Sequence, residues 1–141
     1  MTSFRIAATG LVLSALMFGA AHAQPAAPPA STDWSNAQVV EVDLDSYSFT
    51  PKSLHLKAGT PYRLHFVNKA SKGHNFDAPE FFAALVVSPA DQAKVADGKI
   101  ELDGGASADI QVVPSVPGTY PVKCSHFMHS TLGMSGEAVI E

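Results

Sequence analysis

Hydrophobic and polar residues alternate along much of the chain from residue 38 onward. Alternation with a period of two is typical of β-strands that place one face on a core and the other in water. We therefore predict a strand around each of five groups of hydrophobic positions: Val40, Val42 and Leu44; Leu54 and Leu56; Tyr62, Leu64 and Phe66; Ala108, Ile110 and Val112; Tyr120, Val122 and Cys124. A last short strand is predicted at residues 137–140.

Turn-forming residues separate these strands, as at Thr50-Pro51 and Pro117-Gly118. Several short strands with turns between them are typical of a β-sandwich or barrel, so the predicted fold class is all-β. Pro121 has no N–H group, so its strand should be at a sheet edge or bulged at that point. The alternation stops at about residues 78–97, where residues 79–87 and 90–96 predict a short, partly helical insertion.

The amino-terminal segment has the layout of a secretory signal peptide. Residues 1–5 carry one positive charge, residues 6–20 are an uncharged apolar run, and Ala21-His22-Ala23 fits a cleavage site. We expect cleavage after Ala23 and a periplasmic location; an uncleaved anchor is the alternative, although the run is short for a membrane span. Residues 24–36 then predict a flexible Pro/Ala-rich leader, and residues 37–141 one folded domain.

Charge narrows the range of partners. The chain has 141 residues and a formal net charge of −4, and removal of Arg5 with the signal peptide takes it to −5. This acidity argues against binding to nucleic acid, which requires a basic surface, and against an anionic membrane surface. We expect a monomer with no membrane anchor after cleavage.

Cys124 is the single cysteine of the chain, so it has no partner for an internal disulfide. An unpaired thiol in an exported protein needs an explanation, and metal ligation provides one. The alternative is a buried, inert cysteine that packs as a small apolar residue.

Sulfur and imidazole donors cluster near this cysteine: Cys124, His126, Met128, His129 and Met134 lie within eleven residues. Such donors suit copper, and two histidines and a cysteine with a weak axial methionine form the blue-copper electron-transfer site. The loop from Cys124 to Met134 can supply three of these four ligands, and a second histidine must come from elsewhere.

Three upstream histidines could complete the set. His55 and His65 alternate with core-facing residues on predicted strands, so both should face solvent. His74 follows Ser71-Lys72-Gly73 at the end of a strand, where a side chain can turn toward a site. We therefore predict that His74, Cys124, His129 and Met134 hold one copper ion.

Several motifs resemble the cupredoxin family. They are Phe49-Thr50-Pro51, Leu54 to Gly59, His74-Asn75, and Cys124 with His129, Gly133 and Met134. The resemblance covers about residues 40–141, and the loop spacing is similar to that of auracyanins, with Tyr-x-Val-Lys-Cys similar to pseudoazurins. It implies a Greek-key β-sandwich with copper at one end and outer-sphere electron transfer. The amide of Asn75 can tie the two ligand-bearing loops together; the alternative is that Asn75 only serves a turn, which asparagine favours.

The residues between Cys124 and His129 depart from the family, because related loops usually carry proline there. His126 and Met128 are either surface residues or groups that approach the copper or a second copper. In the family, the histidine equivalent to His129 reaches the surface through an apolar patch. Phe127, Met128 and Leu132 could form that patch here, or could instead pack within the loop.

Two functions fit these features. The first is an electron carrier that exchanges electrons with a redox partner protein. The second is a copper tolerance or delivery protein that passes copper to an accepting protein, which His126 and Met128 favour. An enzyme is not expected, because an oxidase or nitrite reductase needs further copper sites and no oxyanion machinery accompanies Cys124.

Overall fold

The computed structural model describes residues 32–141. The predicted signal peptide at residues 1–23 and residues 24–31 of the predicted leader lie outside the described residues. The remaining part of the leader contains a 3-10 helix at Trp34–Asn36, capped by the Asp33 carboxylate, which accepts from the Ser35 N–H group at 3.0 Å. Between residues 32 and 141, no helix is long and apolar enough to cross a membrane.

Ten strands of the described chain form two five-stranded sheets. The first sheet has the order β2-β1-β4-β8-β6, with parallel pairing between β1 and β4 and antiparallel pairing elsewhere. Its strands are β1 Gln38–Asp45, β2 Ser48–Thr50, β4 Tyr62–Asn68, β6 Leu85–Val87 and β8 Ser107–Pro114.

The second sheet has the order β3-β10-β9-β5-β7, with parallel pairing between β3 and β10. Its strands are β3 Ser53–Leu56, β5 His74–Asp77, β7 Lys99–Leu102, β9 Gly118–Lys123 and β10 Ser135–Ile140. A short helix, α1 Pro79–Ala83, follows β5, and a 3-10 helix at Gln92–Lys94 precedes β7.

One hydrophobic core fills the space between the sheets. Phe76 of β5 lies near its centre, with ring centroids 5.0 to 6.1 Å from those of four other phenylalanines: Phe49, Phe66, Phe81 and Phe82. Burial of a phenylalanine side chain stabilises a fold by roughly 1.5–3 kcal/mol. Phe76 therefore anchors β5 firmly, two residues after His74.

The all-β sandwich predicted from the sequence is confirmed, and all six predicted strands are present. The partly helical insertion predicted at about residues 78–97 is also confirmed, with α1 at Pro79–Ala83 and a 3-10 helix at Gln92–Lys94, although no helix extends to residue 87. Residues Leu85–Val87 form β6 instead, because Val86 and Val87 pair with β8 at Val113 and Val112. β-branched residues fit a pleated sheet better than a helix.

Pro121 lies in β9 at a place where one side of the strand has no strand partner. It pairs with Glu137 of β10, whereas the only ladder pair between β5 and β9 is Asp77 with Lys123. The missing N–H group therefore removes no sheet hydrogen bond, as a locally edge-like strand requires.

Candidate metal centre

His74 is the first residue of β5 and lies opposite Leu102 of β7. The prediction that His74 follows directly after the end of a strand is wrong, because β4 already ends at Asn68 and a new strand begins at His74. Pairing with β7 and burial of Phe76 fix the His74 backbone. The imidazole is buried, with 2% of the residue exposed.

Cys124 follows β9 directly and begins the loop that ends at Met134. Its N–H group donates to the carbonyl of Met134 at 3.0 Å, so the two ends of the loop lie side by side. Within the loop, the His129 N–H donates to His126 O at 3.1 Å and the Met134 N–H to His129 O at 3.0 Å. Gly133 adopts a φ of 108°, a conformation that side chains disfavour, and this allows the chain to turn back.

Three donor atoms converge at this end of the sandwich. The sulfur of Cys124 lies 3.4 Å from Nδ1 of His129 and 3.9 Å from Nδ1 of His74. The ligand atoms of all three residues lie within 4.8 Å of one another. Atoms about 2.0–2.3 Å from a common ion, roughly 120° apart, would be separated by about 3.7 Å. The residues present therefore fit a trigonal copper ion.

Met134 is completely buried, as is Cys124. The backbone hydrogen bond between these residues places the methionine at the base of the same loop. A thioether is a weak, soft donor of the kind that suits the axial position of a copper site.

Burial lowers the pKa of His74 below its usual value of 6.5. The nearby imidazoles of His129 and His126 lower the pKa further, while Asp45 and Glu101 partly oppose the shift. A lowered pKa keeps the imidazole neutral near pH 7. Neutral imidazole is the form that binds a metal.

Asn75 connects β5 to the segment after Cys124. Its side-chain oxygen accepts from the Ser125 N–H at 2.8 Å, and its amide nitrogen donates to Ser125 Oγ at 2.9 Å. The same nitrogen donates to Glu101 Oε2 at 2.9 Å. These bonds join the two segments as predicted for Asn75, and the influence of Asn75 on a bound metal stays a prediction.

His126 matches neither of its two predicted roles, a surface residue or a group that approaches the copper. Its Nε2 is 2.6 Å from Glu101 Oε1, and its ring stacks on His129 with centroids 5.3 Å apart. The His74 ring is more distant, at 6.5 Å. His126 is therefore neither a free surface residue nor a member of the converging donor set within residues 32–141.

Exposed apolar side chains lie on the same loop as His129, which is itself partly buried. Phe127 is 90% exposed, Met128 50% and Leu132 53%, so none of these three residues is packed in the core. Tyr47, in the turn between β1 and β2, places its ring edge-on to His129 with centroids 5.4 Å apart. We call these four residues the apolar rim.

The two other upstream histidines lie away from this end. His55 is exposed, with Nδ1 3.6 Å from a Glu141 carboxylate oxygen. His65 is partly exposed, and its Nδ1 lies 2.9 Å from Asp109 Oδ1. Glu101 and Tyr47 adjoin the site but were not predicted. An exposed glutamate in an ordinary strand pattern and a tyrosine in a turn carry no sequence signal of this role.

A β-sandwich that gathers two imidazoles and a cysteine sulfur at one end has the donor set of a soft-metal centre. The sequence profile of the family described as the cupredoxin-like domain matches residues 10–140. The chain therefore belongs to the cupredoxin-like family. No curated protein was found to match the chain.

Solved structures of similar fold include auracyanin B, with 27% identity and a TM-score of 0.53 over 74% of this chain and 89% of that protein. The auracyanin of Roseiflexus castenholzii has 20% identity and a TM-score of 0.53, over 74% and 98% of the two chains. A multicopper oxidase from Campylobacter jejuni has 13% identity and a TM-score of 0.57, over 80% of this chain but 31% of the oxidase. The last two likenesses show the fold alone.

Proposed function

We propose that the protein is a copper-binding electron carrier in which His74, Cys124, His129 and Met134 hold one copper ion. The observation that carries the proposal is the convergence of Cys124 Sγ with two imidazole Nδ1 atoms at 3.4 and 3.9 Å in a cupredoxin-like fold. A copper ion bound to such donors alternates between Cu(I) and Cu(II) and so accepts and donates one electron.

The residues around the site have different roles: some hold the donors in place, and others form the surface that a redox partner would approach. The strand that begins at His74 and the strand that precedes Cys124 hold two donors on paired backbone, which limits their movement when the charge of the ion changes. Burial of these two residues excludes water from that side. His129 is partly exposed within the apolar rim, so a redox partner protein would approach there.

Visible and electron paramagnetic resonance spectra of the copper-loaded protein test this proposal. We expect one copper per chain and a strong visible absorption band from the Cys124 thiolate. Cys124→Ser should abolish the band, whereas the control His55→Ala should keep it. A band that survives in Cys124→Ser would refute the assignment.

Export to the periplasm is part of the proposal and rests on residues 1–23. Amino-terminal sequencing of protein from the periplasmic fraction should start at Gln24. A chain that keeps residues 1–23 in the membrane fraction would show that the segment acts as an anchor. We also expect the mature protein to be a monomer in solution.

A second function, copper tolerance or delivery, draws on the additional donors His126 and Met128 beside His129. A delivery protein releases Cu(I) readily to an accepting protein, and its loss makes cells sensitive to copper. A carrier keeps copper in both oxidation states. Transfer of Cu(I) to a chelator within seconds would favour delivery, and retention over hours would favour electron transfer.

A further inference from the structure

Glu101 occupies a place where two parts of the metal centre meet. It lies on β7, the edge strand of the second sheet, directly opposite Asn75 of β5. Its carboxylate uses both oxygens: Oε2 accepts from Asn75 Nδ2 at 2.9 Å, and Oε1 lies 2.6 Å from Nε2 of His126. One side chain thus contacts the residue after His74 and the second residue after Cys124.

Both residues that Glu101 contacts, Asn75 and His126, are in turn linked to the proposed copper ligands. Asn75 holds Ser125 through two hydrogen bonds, at 2.8 and 2.9 Å, and so sets the backbone next to Cys124. The ring of His126 stacks on that of His129, with centroids 5.3 Å apart and planes 23° apart. The carbonyl of His126 also accepts the N–H of His129 at 3.1 Å.

We propose that Glu101 is a positioning residue of the metal centre, which fixes the Cys124 side through Asn75 and the His129 side through His126. The effect on copper rests on the proposed function, whereas the effect on the loop does not. The geometry also gives His126 a role without making it a copper ligand, because the converging donor set consists of His74, Cys124 and His129, while Nε2 of His126 contacts Glu101.

Glu101 positions the loop through its two hydrogen bonds rather than through its charge. The residue is exposed, and an exposed ion pair contributes little to stability because water screens it. A glutamine at this position has the same shape, still accepts from Asn75, and can donate its N–H to His126. Glu101→Gln should therefore preserve most of the effect, whereas Glu101→Ala should lose it.

Amide hydrogen exchange in the metal-free protein tests the loop directly. We expect the Ser125 and His129 amides to exchange roughly tenfold faster in Glu101→Ala than in the unaltered chain, because their partners become mobile. Glu101→Gln should stay within about threefold of the unaltered chain. Glu80→Ala, which removes a second exposed glutamate from α1, is the matched control and should leave both amides unchanged.

Copper affinity provides a second measurement. Residues that orient metal ligands typically change affinity by about 10–100-fold when removed, and Glu101 acts through one intervening residue on each side. We therefore expect a loss of about tenfold in Glu101→Ala. His126→Ala removes the same contact between Glu101 and His126 from the other side. The fold-loss of copper affinity in the double variant should therefore be smaller than the product of the two single fold-losses. His126→Ala also serves if Glu101→Ala fails to fold.

Three results would overturn the proposal. The first is exchange of both amides in Glu101→Ala within twofold of the Glu80→Ala control. The second is damage by Glu101→Gln as large as that by Glu101→Ala, which would point to charge instead of hydrogen bonding. The third is a double variant whose fold-loss of copper affinity equals the product of the losses in Glu101→Ala and His126→Ala. A chain that binds no copper, but whose loop loosens in Glu101→Ala, would refute the proposed function and support the positioning role.

Discussion

Replacement of Asn75 by alanine should weaken the fold and the metal centre together. The side chain is buried, with 2% of the residue exposed, and it makes three hydrogen bonds that link β5, β7 and the Cys124 loop. A typical hydrogen bond contributes about 0.5–1.5 kcal/mol, and an orphaned buried donor costs about 1–3 kcal/mol. The Ser125 N–H loses its partner in Asn75→Ala, so we expect a total loss of about 3 kcal/mol.

Urea and thermal unfolding of the metal-free protein measure this loss. For a domain of this size, each kcal/mol lowers the melting temperature by roughly 4 °C, so Asn75→Ala should melt about 12 °C lower. Ser125→Ala removes only the Oγ contact and should cost about 1 kcal/mol. The visible spectrum of the copper-loaded Asn75→Ala protein should shift as well, because the segment after Cys124 is no longer held.

Asp91 offers a matched control remote from the metal centre. It is also buried, and its carboxylate accepts from the Gln111 N–H at 2.9 Å and from the Lys94 ammonium at 2.6 Å. Asp91→Ala should therefore lower the melting temperature without changing the copper spectrum. A loss below 1 kcal/mol in Asn75→Ala, or an unchanged spectrum, would refute the reasoning that Asn75 connects the two ligand-bearing segments.

Three further predictions follow from the site. His74→Ala should abolish the copper band and tight copper binding, whereas His65→Ala should preserve both; the opposite result would show that the ligand was chosen wrongly. Burial lowers the pKa of His74 below 6.5, so the unfolded chain binds a proton more readily than the folded chain. The contribution of His74 to the stability of the metal-free protein should therefore be fully present above pH 6.5 and be lost as the pH falls through the lowered pKa. Urea midpoints should show this slope, and His74→Gln should reduce it. Phe127→Ser should change stability by less than about 0.5 kcal/mol, since the ring is 90% exposed, but slow electron exchange with a partner by roughly tenfold; an unchanged exchange rate would remove the apolar rim from the docking surface.

Alternation along the chain was sufficient to predict the strands that have one buried face. Val42 and Leu44 of β1, for example, are fully buried between exposed or partly exposed neighbours. It failed for β5, where His74, Asn75 and Phe76 are all buried and the pattern shows no alternation. A strand of this kind is recognised only from its pairing with β7 and β9, and the alternation along the chain does not specify that pairing.

The donors of the site could be predicted because their chemistry is unusual. The residues that contact and position these donors could not be predicted. A single cysteine beside histidines and methionines is rare enough to suggest a metal. Glu101 is one glutamate among several in alternating strands, and its role arises from the register that places it opposite Asn75. Tyr47 likewise meets His129 only because the turn between β1 and β2 folds over the loop, with a φ of 65° at the tyrosine.

Electron transfer and copper delivery place opposite demands on the loop from Cys124 to Met134. A carrier needs the same ligand positions in both oxidation states, so the loop must stay closed. A delivery protein must let the ion leave, and the open direction passes His129 and the exposed side chain of Met128. Release on that side requires His129 to move, which breaks its stacking on His126 and the hydrogen bond from its N–H group. The contacts of Glu101 and Asn75 therefore oppose release, and their removal should accelerate the loss of Cu(I) to a chelator. If the unaltered chain releases Cu(I) within seconds, and as fast as Glu101→Ala does, the loop does not retain the ion and the result favours delivery.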